Sequence, residues 1–295
     1  MDEKITGMDI LIYGTINSVA LALYALGFAL VYGISRLPNF AHGALYVLSG
    51  FIAWSALNIL GINHLLSILL AVAVTAIVGS VIYQFFLIRI RGMEISEIIA
   101  TYAIALAILE GLRWGGFKGM TYTLPPFIEG SAAIGGISVD YQRLLTVGVG
   151  AALVAFLWLF THKTRIGLAL RGMAQDERAA LMLGIDSDVM AVVAMGLGSS
   201  LAALSAMLLL PLGNIVVESG YNVLILSIAV CIVGGLGSWA GAVLAAFIIG
   251  FAQILTAVYL GSHYQMVVAL LAIILTLIFK PSGIFGQQKE LEERV

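Results

Sequence analysis

Residues 162–188 form the most charged interior stretch of the chain, and their pattern is typical of a short amphipathic helix. Asp176 and Glu177 would lie in its first turn, where the helix dipole favours acidic side chains, and Gly184 is a suitable C-terminal stop. One side of this helix is predicted to be shared by Ala179, Ala180, Met182 and Leu183. Two interpretations stay open: a helix that lies on the membrane surface, and a helix that docks into a groove on a partner protein.

A second group of residues that could bind a ligand is the run Asn39-Phe-Ala-His-Gly43. Because Asn39 follows Pro38, its side chain is suited to cap the next helix by accepting a backbone N–H. A helix that starts there also presents a dipole end that attracts anions. His42 is either a structural residue with a satisfied ring or a ligand contact. The candidates of this run are Asn39, Phe40, His42 and Gly43.

The third group is a glycine-rich run that consists of Gly234, Gly235, Gly237, Ser238 and Gly241. Gly237 and Gly241 form a small-xxx-small pair, which lets two helix backbones approach closely. The same glycines also permit a break in a helix, where backbone groups could line a transport pathway. Close packing and a pathway break are both kept as interpretations.

Several kinds of chemistry are excluded by the sequence. No Gly-Lys pair occurs, so the chain lacks a phosphate-binding loop, and its four histidines follow no metal-binding pattern. We therefore predict no catalytic residue, no metal and no cofactor on this chain. The net charge of -2 provides no basic patch for nucleic acid. Glu110 is taken as the only acid within a membrane span, with Arg113 as its partner three residues on.

The elements that must position these residues are membrane helices. Of 295 residues, 61% are hydrophobic and 10% are charged, and the mean hydropathy is +1.08. Soluble domains carry about 25% charged residues, so lipid must solvate much of this surface. We predict an all-α, multi-pass protein of the cell membrane with a single transmembrane domain, 1–295. The predicted spans are 10–35, 44–60, 64–88, 95–114, 144–161, 189–213 and three within 219–279.

This count gives nine spans, or eight if the segment around Gly234 enters the membrane and returns without crossing. With nine spans, ten Lys and Arg residues fall in one set of loops and four in the other. Positively charged loops remain in the cytoplasm. The N-terminus is therefore predicted outside, and the C-terminus and residues 162–188 are predicted in the cytoplasm.

The run 167–186 resembles the cytoplasmic loop of the permeases of branched-chain amino-acid ABC importers. Three further blocks are similar in the same order. They are Tyr24-Ala-Leu-Gly27 with Asn39–Gly43, then Val233–Ser238 with Gly241, then Pro281-Ser-Gly-Ile-Phe-Gly286. The chain is most similar to the first of the two permease types. It departs from many relatives at Leu226, where they carry a lysine within the membrane.

The resemblance implies a permease that imports branched-chain or other hydrophobic amino acids by alternating access. Its partners would be ABC ATPase subunits that hold ATP and Mg, a second permease (a copy or a different chain) and an extracytoplasmic solute-binding protein. Residues 162–188 would be the coupling loop, with contacts to the ATPase at Arg171, Gln175, Asp176, Ala179, Ala180 and Gly184. The alternatives are a permease for urea or short amides and, in another class, a stand-alone secondary transporter or channel. The spans offer almost no ionisable residues for the coupling ions that a secondary transporter needs.

Overall fold

The computed structural model describes residues 7–36, 38–118 and 120–286, and long helices dominate this part of the chain. The long helices are α1 (Gly7–Ser35), α2 (His42–Asn58), α3 (His64–Phe85), α4 (Glu94–Gly111), α5 (Tyr141–Lys163), α8 (Ser187–Leu209), α9 (Val217–Gly234), α10 (Trp239–Tyr259) and α11 (Gln265–Phe279). Two shorter helices, α6 (Arg165–Gln175) and α7 (Glu177–Met182), lie between α5 and α8. Turns of 3-10 helix cover Leu87–Ile90, Leu210–Leu212 and Ser262–Tyr264, and a π-helical turn covers Leu112–Phe117.

Within the described residues, eight helical segments are long and apolar enough to cross a membrane. They correspond, to within one residue at the predicted ends, to all the predicted spans except the second, whose helix α2 has 17 residues. Both helices that flank Gly234 reach spanning length. Nine crossings and the orientation of the termini stay predictions.

The all-α prediction is wrong in one place, the polar segment between α4 and α5. Strands β1 (Ser131–Ile134) and β2 (Ile137–Asp140) pair there as an antiparallel hairpin. The turn between them is Gly135-Gly136, a dipeptide that two-residue hairpin loops favour. The hairpin leads directly into α5, since the backbone N–H of Tyr141 donates to the carbonyl oxygen of Gly130 at 3.0 Å.

Helix α1 lies at the centre of the fold, with α5, α8, α9 and α10 packed around it. Small residues allow this packing. A Cβ atom placed on Gly27 would lie only 2.5 Å from the carbonyl oxygen of Gly198 on α8. Without a hydrophobic driving force between helices in lipid, such close backbone contacts supply much of the association energy.

The outer helices α3, α5 and α11 expose large apolar side chains instead. Along α11 the exposed residues include Leu270, Leu271, Ile274, Leu275 and Ile278. Acyl chains solvate such side chains as well as a protein core does. The protein is therefore a multi-pass membrane protein whose apolar outer surface faces lipid.

Candidate functional site

The charged stretch between α5 and α8 folds into two helices, each with a side-chain cap. The hydroxyl of Thr164 accepts the N–H of Gly167 at 3.0 Å and begins α6, and the carboxylate of Asp176 accepts the N–H of Ala179 at 3.0 Å and begins α7. Gly184 follows α7 with a φ of +81°, so this residue ends the segment as predicted. Helix α6 was missed, although the buried Gly167, Leu170 and Met173 recur every three residues.

The side chains of α7 point differently from the prediction. Ala180 is 3% exposed and faces the body of the protein, whereas Met182 and Leu183 are 91% and 82% exposed. These residues were predicted to share one side. They do not, because Met182 lies two residues after Ala180, about 200° around the helix, and Leu183 follows the end of α7. Together with the exposed Leu181, these side chains form an apolar tip, Leu181–Leu183.

The other predicted coupling residues are spread along α6 and α7. Arg171 is half-buried and lines a cleft below α6, together with Thr161 and Trp239. Gln175, Asp176 and Ala179 are exposed. The structure therefore brings Arg171 to the body of the protein and leaves Gln175, Asp176 and Ala179 on the surface.

Sequence reasoning missed Arg91, which lies in the tight turn between α3 and α4. Its guanidinium forms ion pairs with Glu177 on α7 and Asp188 on α8, and it donates to the hydroxyl of Ser187 at 2.9 Å. Burial lowers the pKa of Arg91, but Tyr83, Asp188 and Glu177 outweigh burial and raise that pKa. Arg91 had served only in the count of loop charges, since nothing local in the sequence relates it to residues 177 and 188.

Asn39 and His42 are both buried, and their polar atoms have partners within the fold. The amide oxygen of Asn39 accepts the N–H of Ala41 at 3.0 Å. This residue is therefore an acceptor as predicted, but it acts just before α2, whose N-cap position is Ala41. The Nε2 atom of His42 lies 2.9 Å from the carbonyl oxygen of Tyr24, which agrees with the structural interpretation. Phe40 meets the ring of Tyr102 edge-on at 6.3 Å.

The glycine-rich run breaks the chain between α9 and α10. Gly235 and Gly237 have φ values of +101° and +81°, and the Ser238 hydroxyl caps α10 by accepting the N–H of Gly241 at 3.0 Å. Gly237 lies in the turn, so the predicted helical pair of Gly237 and Gly241 is wrong. The close pair is Gly234 and Gly241. A Cβ atom on Gly241 would lie 2.1 Å from the Gly234 carbonyl oxygen.

The segment Pro281–Gly286 completes the end of α9. Ile284 and Phe285 donate their backbone N–H groups to the carbonyl oxygens of Val233 and Gly234, at 2.9 and 3.0 Å. The final carbonyls of a helix have no intrahelical partner. This backbone pairing brings together two sequence blocks that lie about fifty residues apart in the chain.

A cleft at the same end of the bundle as Arg91 brings Asn39 close to a buried acid that sequence reasoning overlooked. The cleft is lined by Asn39, Tyr83, Glu97 and Met195 among others. Glu97 is 7% exposed and lies in α4, so Glu110 is not the only acid within a span. Glu110 pairs with Arg113 at 3.2 Å, as predicted. Within the described residues, no group of three His, Cys, Asp or Glu side chains could hold a metal ion.

The sequence matches one family profile over most of its length. The profile described as "Branched-chain amino acid transport system / permease component" matches residues 10–277. The high-affinity branched-chain amino acid transport system permease protein BraD of Pseudomonas aeruginosa is 29% identical over 280 residues, which cover 90% of this chain and 91% of BraD. The probable branched-chain amino acid transport permease protein LivH of Methanocaldococcus jannaschii is 30% identical over 285 residues, covering 92% and 90%.

A solved structure has a similar fold. PsaBC from Streptococcus pneumoniae in complex with Fab superposes with a TM-score of 0.53 at 14% sequence identity, over 97% of this chain and 95% of that chain. At this identity the likeness concerns the fold alone. The profile match, the two relatives and the membrane helices together show that the chain belongs to the family of permease components of branched-chain amino-acid transport systems.

Proposed function

We propose that this chain is the membrane permease subunit of an ATP-driven importer for branched-chain or other hydrophobic amino acids. The profile match over residues 10–277 is the observation that supports this function most strongly. The relatives BraD and LivH are named as permeases for branched-chain amino acids. In this proposal the chain performs no chemistry, and ATP and Mg are held by a separate ATPase chain.

The apolar tip Leu181–Leu183 is the proposed docking surface for that ATPase. Met182 and Leu183 are almost fully exposed and lie outside every candidate span. No membrane-crossing helix includes them, and exposed apolar groups of this kind are typical of a protein interface. Ala180 holds the tip by packing inward against the body of the protein. The tip is therefore a fixed projection that a groove on the ATPase could receive.

Transport would proceed by alternating access, with helix breaks along the pathway. Helix α2 begins inside the fold at His42, and a turn interrupts the helical backbone between the end of α9 at Gly234 and the start of α10 at Trp239. Interrupted membrane helices of this kind provide backbone groups to a substrate near the middle of a bilayer. Asn39, Gly43 and the run Gly234–Gly241 are the candidates for these positions.

The complete importer would contain a second permease, either another copy of this chain or a related one, and an extracytoplasmic protein that delivers the amino acid. We also infer nine crossings, with the N-terminus outside and residues 162–188 in the cytoplasm. The ten-to-four distribution of Lys and Arg supports this orientation.

The test is co-purification of the ATPase with the permease, followed by leucine uptake into vesicles that contain the whole importer. Met182→Asp should lower both the amount of bound ATPase and the leucine uptake, because it places a charge in an apolar contact. Met120→Asp is the matched control, since Met120 is 66% exposed and lies in the loop before the hairpin, at the opposite end of the bundle. Full ATPase binding and uptake in Met182→Asp would contradict the docking assignment. A wild-type importer that takes up no leucine would contradict the proposed substrate class.

A further inference from the structure

Arg91 connects three separate segments of the chain at one point. Its guanidinium contacts Glu177 on α7 and both Ser187 and Asp188 at the start of α8. The Arg91 side chain is 30% exposed, so water screens these ion pairs less than it would screen fully exposed ones. A guanidinium presents several donors in a planar fork and can bind two carboxylates at once.

The backbone beside Arg91 is tied to the cleft that contains Asn39. Gly92 donates its N–H to the carboxylate of Glu97 at 2.7 Å, and Met93 donates to the carbonyl oxygen of Ile90 at 3.0 Å. Glu97 lines that cleft directly. The turn is therefore a short, hydrogen-bonded connection between the ion pairs of Arg91 and one wall of the cleft.

The second wall is connected through α8. Asp186 caps this helix by accepting the N–H groups of Asp188 and Val189, and Ala191, Ala194 and Met195 of α8 line the cleft. A displacement of α7 would act on both walls, because the same guanidinium contacts α7 and the first turn of α8.

We propose that Arg91 is a positioning residue that transmits motion of α7 to the walls of the Asn39–Glu97 cleft. This role rests on the proposed function, since it requires that the ATPase moves α7. Arg91 would not contact the transported amino acid or the ATPase. Its loss would uncouple ATP hydrolysis from transport, and it would leave docking of the ATPase intact.

The experiment compares Arg91→Gln, Arg91→Lys and Arg89→Gln in vesicles that contain the whole importer, with leucine uptake and ATP hydrolysis measured together. Arg91→Gln should keep the ATPase bound and active, but import at least about fivefold less leucine per ATP, the low end of couplings between distant sites. Arg91→Lys should recover part of this loss, because it restores the charge without the fork. Arg89→Gln removes the same charge from an exposed residue that, among the described residues, makes no ion pair, and it should match wild type.

If Arg91→Gln imports as much leucine per ATP as Arg89→Gln, Arg91 does not transmit the motion. If Arg91→Gln does not insert, Glu177→Gln and Asp188→Asn replace it, and each should lower leucine uptake per ATP by a smaller factor. If both of these variants import as much leucine per ATP as the wild type, the proposal is also overturned. A wild-type chain that binds no ATPase would contradict the proposed function instead, and the two failures are therefore distinguishable.

Discussion

Gly43 on α2 and Gly220 on α9 touch backbone to backbone. A Cβ atom on Gly43 would lie 2.0 Å from the carbonyl oxygen of Gly220, and one on Gly220 would lie 3.0 Å from the carbonyl oxygen of Gly43. Neither helix can rotate a side chain away to relieve such a contact, since both partners are main chain. This crossing fixes the position of α2 along the axis of α9, and therefore also the positions of Phe40 and His42.

Gly43→Val should destabilise the fold strongly. The added methyl groups must displace the backbone of α9, and overpacking of this kind costs at least about 1–3 kcal/mol. The matched control is Gly148→Val on α5, because nothing lies within 4 Å of a Cβ atom at Gly148. Thermal unfolding in detergent should show a lower midpoint for Gly43→Val only. Equal midpoints for the two variants would contradict the close crossing.

Ala180→Glu should loosen the α7 segment rather than simply block docking. Ala180 is 3% exposed, so a glutamate there must bury an unpaired charge or push α7 away, at a cost of about 3–5 kcal/mol if the charge stays buried. Ala179→Glu is the control on the exposed side of the same helix. Hydrogen exchange over residues 177–183 should rise in Ala180→Glu and stay at the wild-type level in Ala179→Glu. The same exchange in both variants would show that Ala180 does not anchor α7.

Gly234→Ala should be more damaging than Gly237→Ala. A Cβ atom on Gly234 would lie 2.5 Å from the Gly241 carbonyl oxygen, whereas the nearest atom to a Cβ on Gly237 is 3.4 Å away, the Cα of Gly33. Gly237→Ala should cost only about 1–2 kcal/mol, the penalty for a side chain at positive φ. Uptake and unfolding midpoints should both fall in the order wild type, Gly237→Ala, Gly234→Ala. The reverse order would mean that the turn, rather than the contact of Gly234 with Gly241, limits stability.

A cysteine at position 183 should be modified only from the cytoplasmic side. Leu183 is 82% exposed, and the native Cys231 is buried, so background labelling should be small. Leu183→Cys should resist an impermeant maleimide in intact cells and react after the cells are opened. Met120→Cys, at the opposite end of the bundle, should react in intact cells. Labelling of Leu183→Cys from outside would reverse the predicted orientation.

The membrane helices could be predicted from the sequence because charges and Gly or Pro residues interrupt long apolar runs. The start of α7 near Asp176 and its stop at Gly184 could also be predicted, since both depend on residues within one or two helical turns, although Asp176 caps the helix rather than lying in its first turn. The hairpin was missed at Gly135-Gly136, where a reliable turn dipeptide lies between two strands of only four residues.

Contacts between residues far apart in the chain could not be predicted from such local sequence patterns. Arg91 meets residues 177 and 188 only because the ends of α3, α7 and α8 adjoin in the fold. The spacing of Gly237 and Gly241 resembled a helical pair, yet the turn starts at Gly235 and leaves Gly234 as the true partner. The 3.6-residue repeat predicts which residues share one face of a helix. The position at which each helix ends decides which glycines are close together in the fold.

The pairing of Ile284 and Phe285 with Val233 and Gly234 also sets an order of events during biosynthesis. Helix α9 leaves the ribosome before α10 and α11, and its terminal carbonyls reach these two partners only after both later helices have been made. Until then water or lipid headgroups must solvate them. This corner of the protein is therefore completed only after α11 has been made, and a chain that stalls or terminates earlier would present an unfinished helix end to membrane quality control.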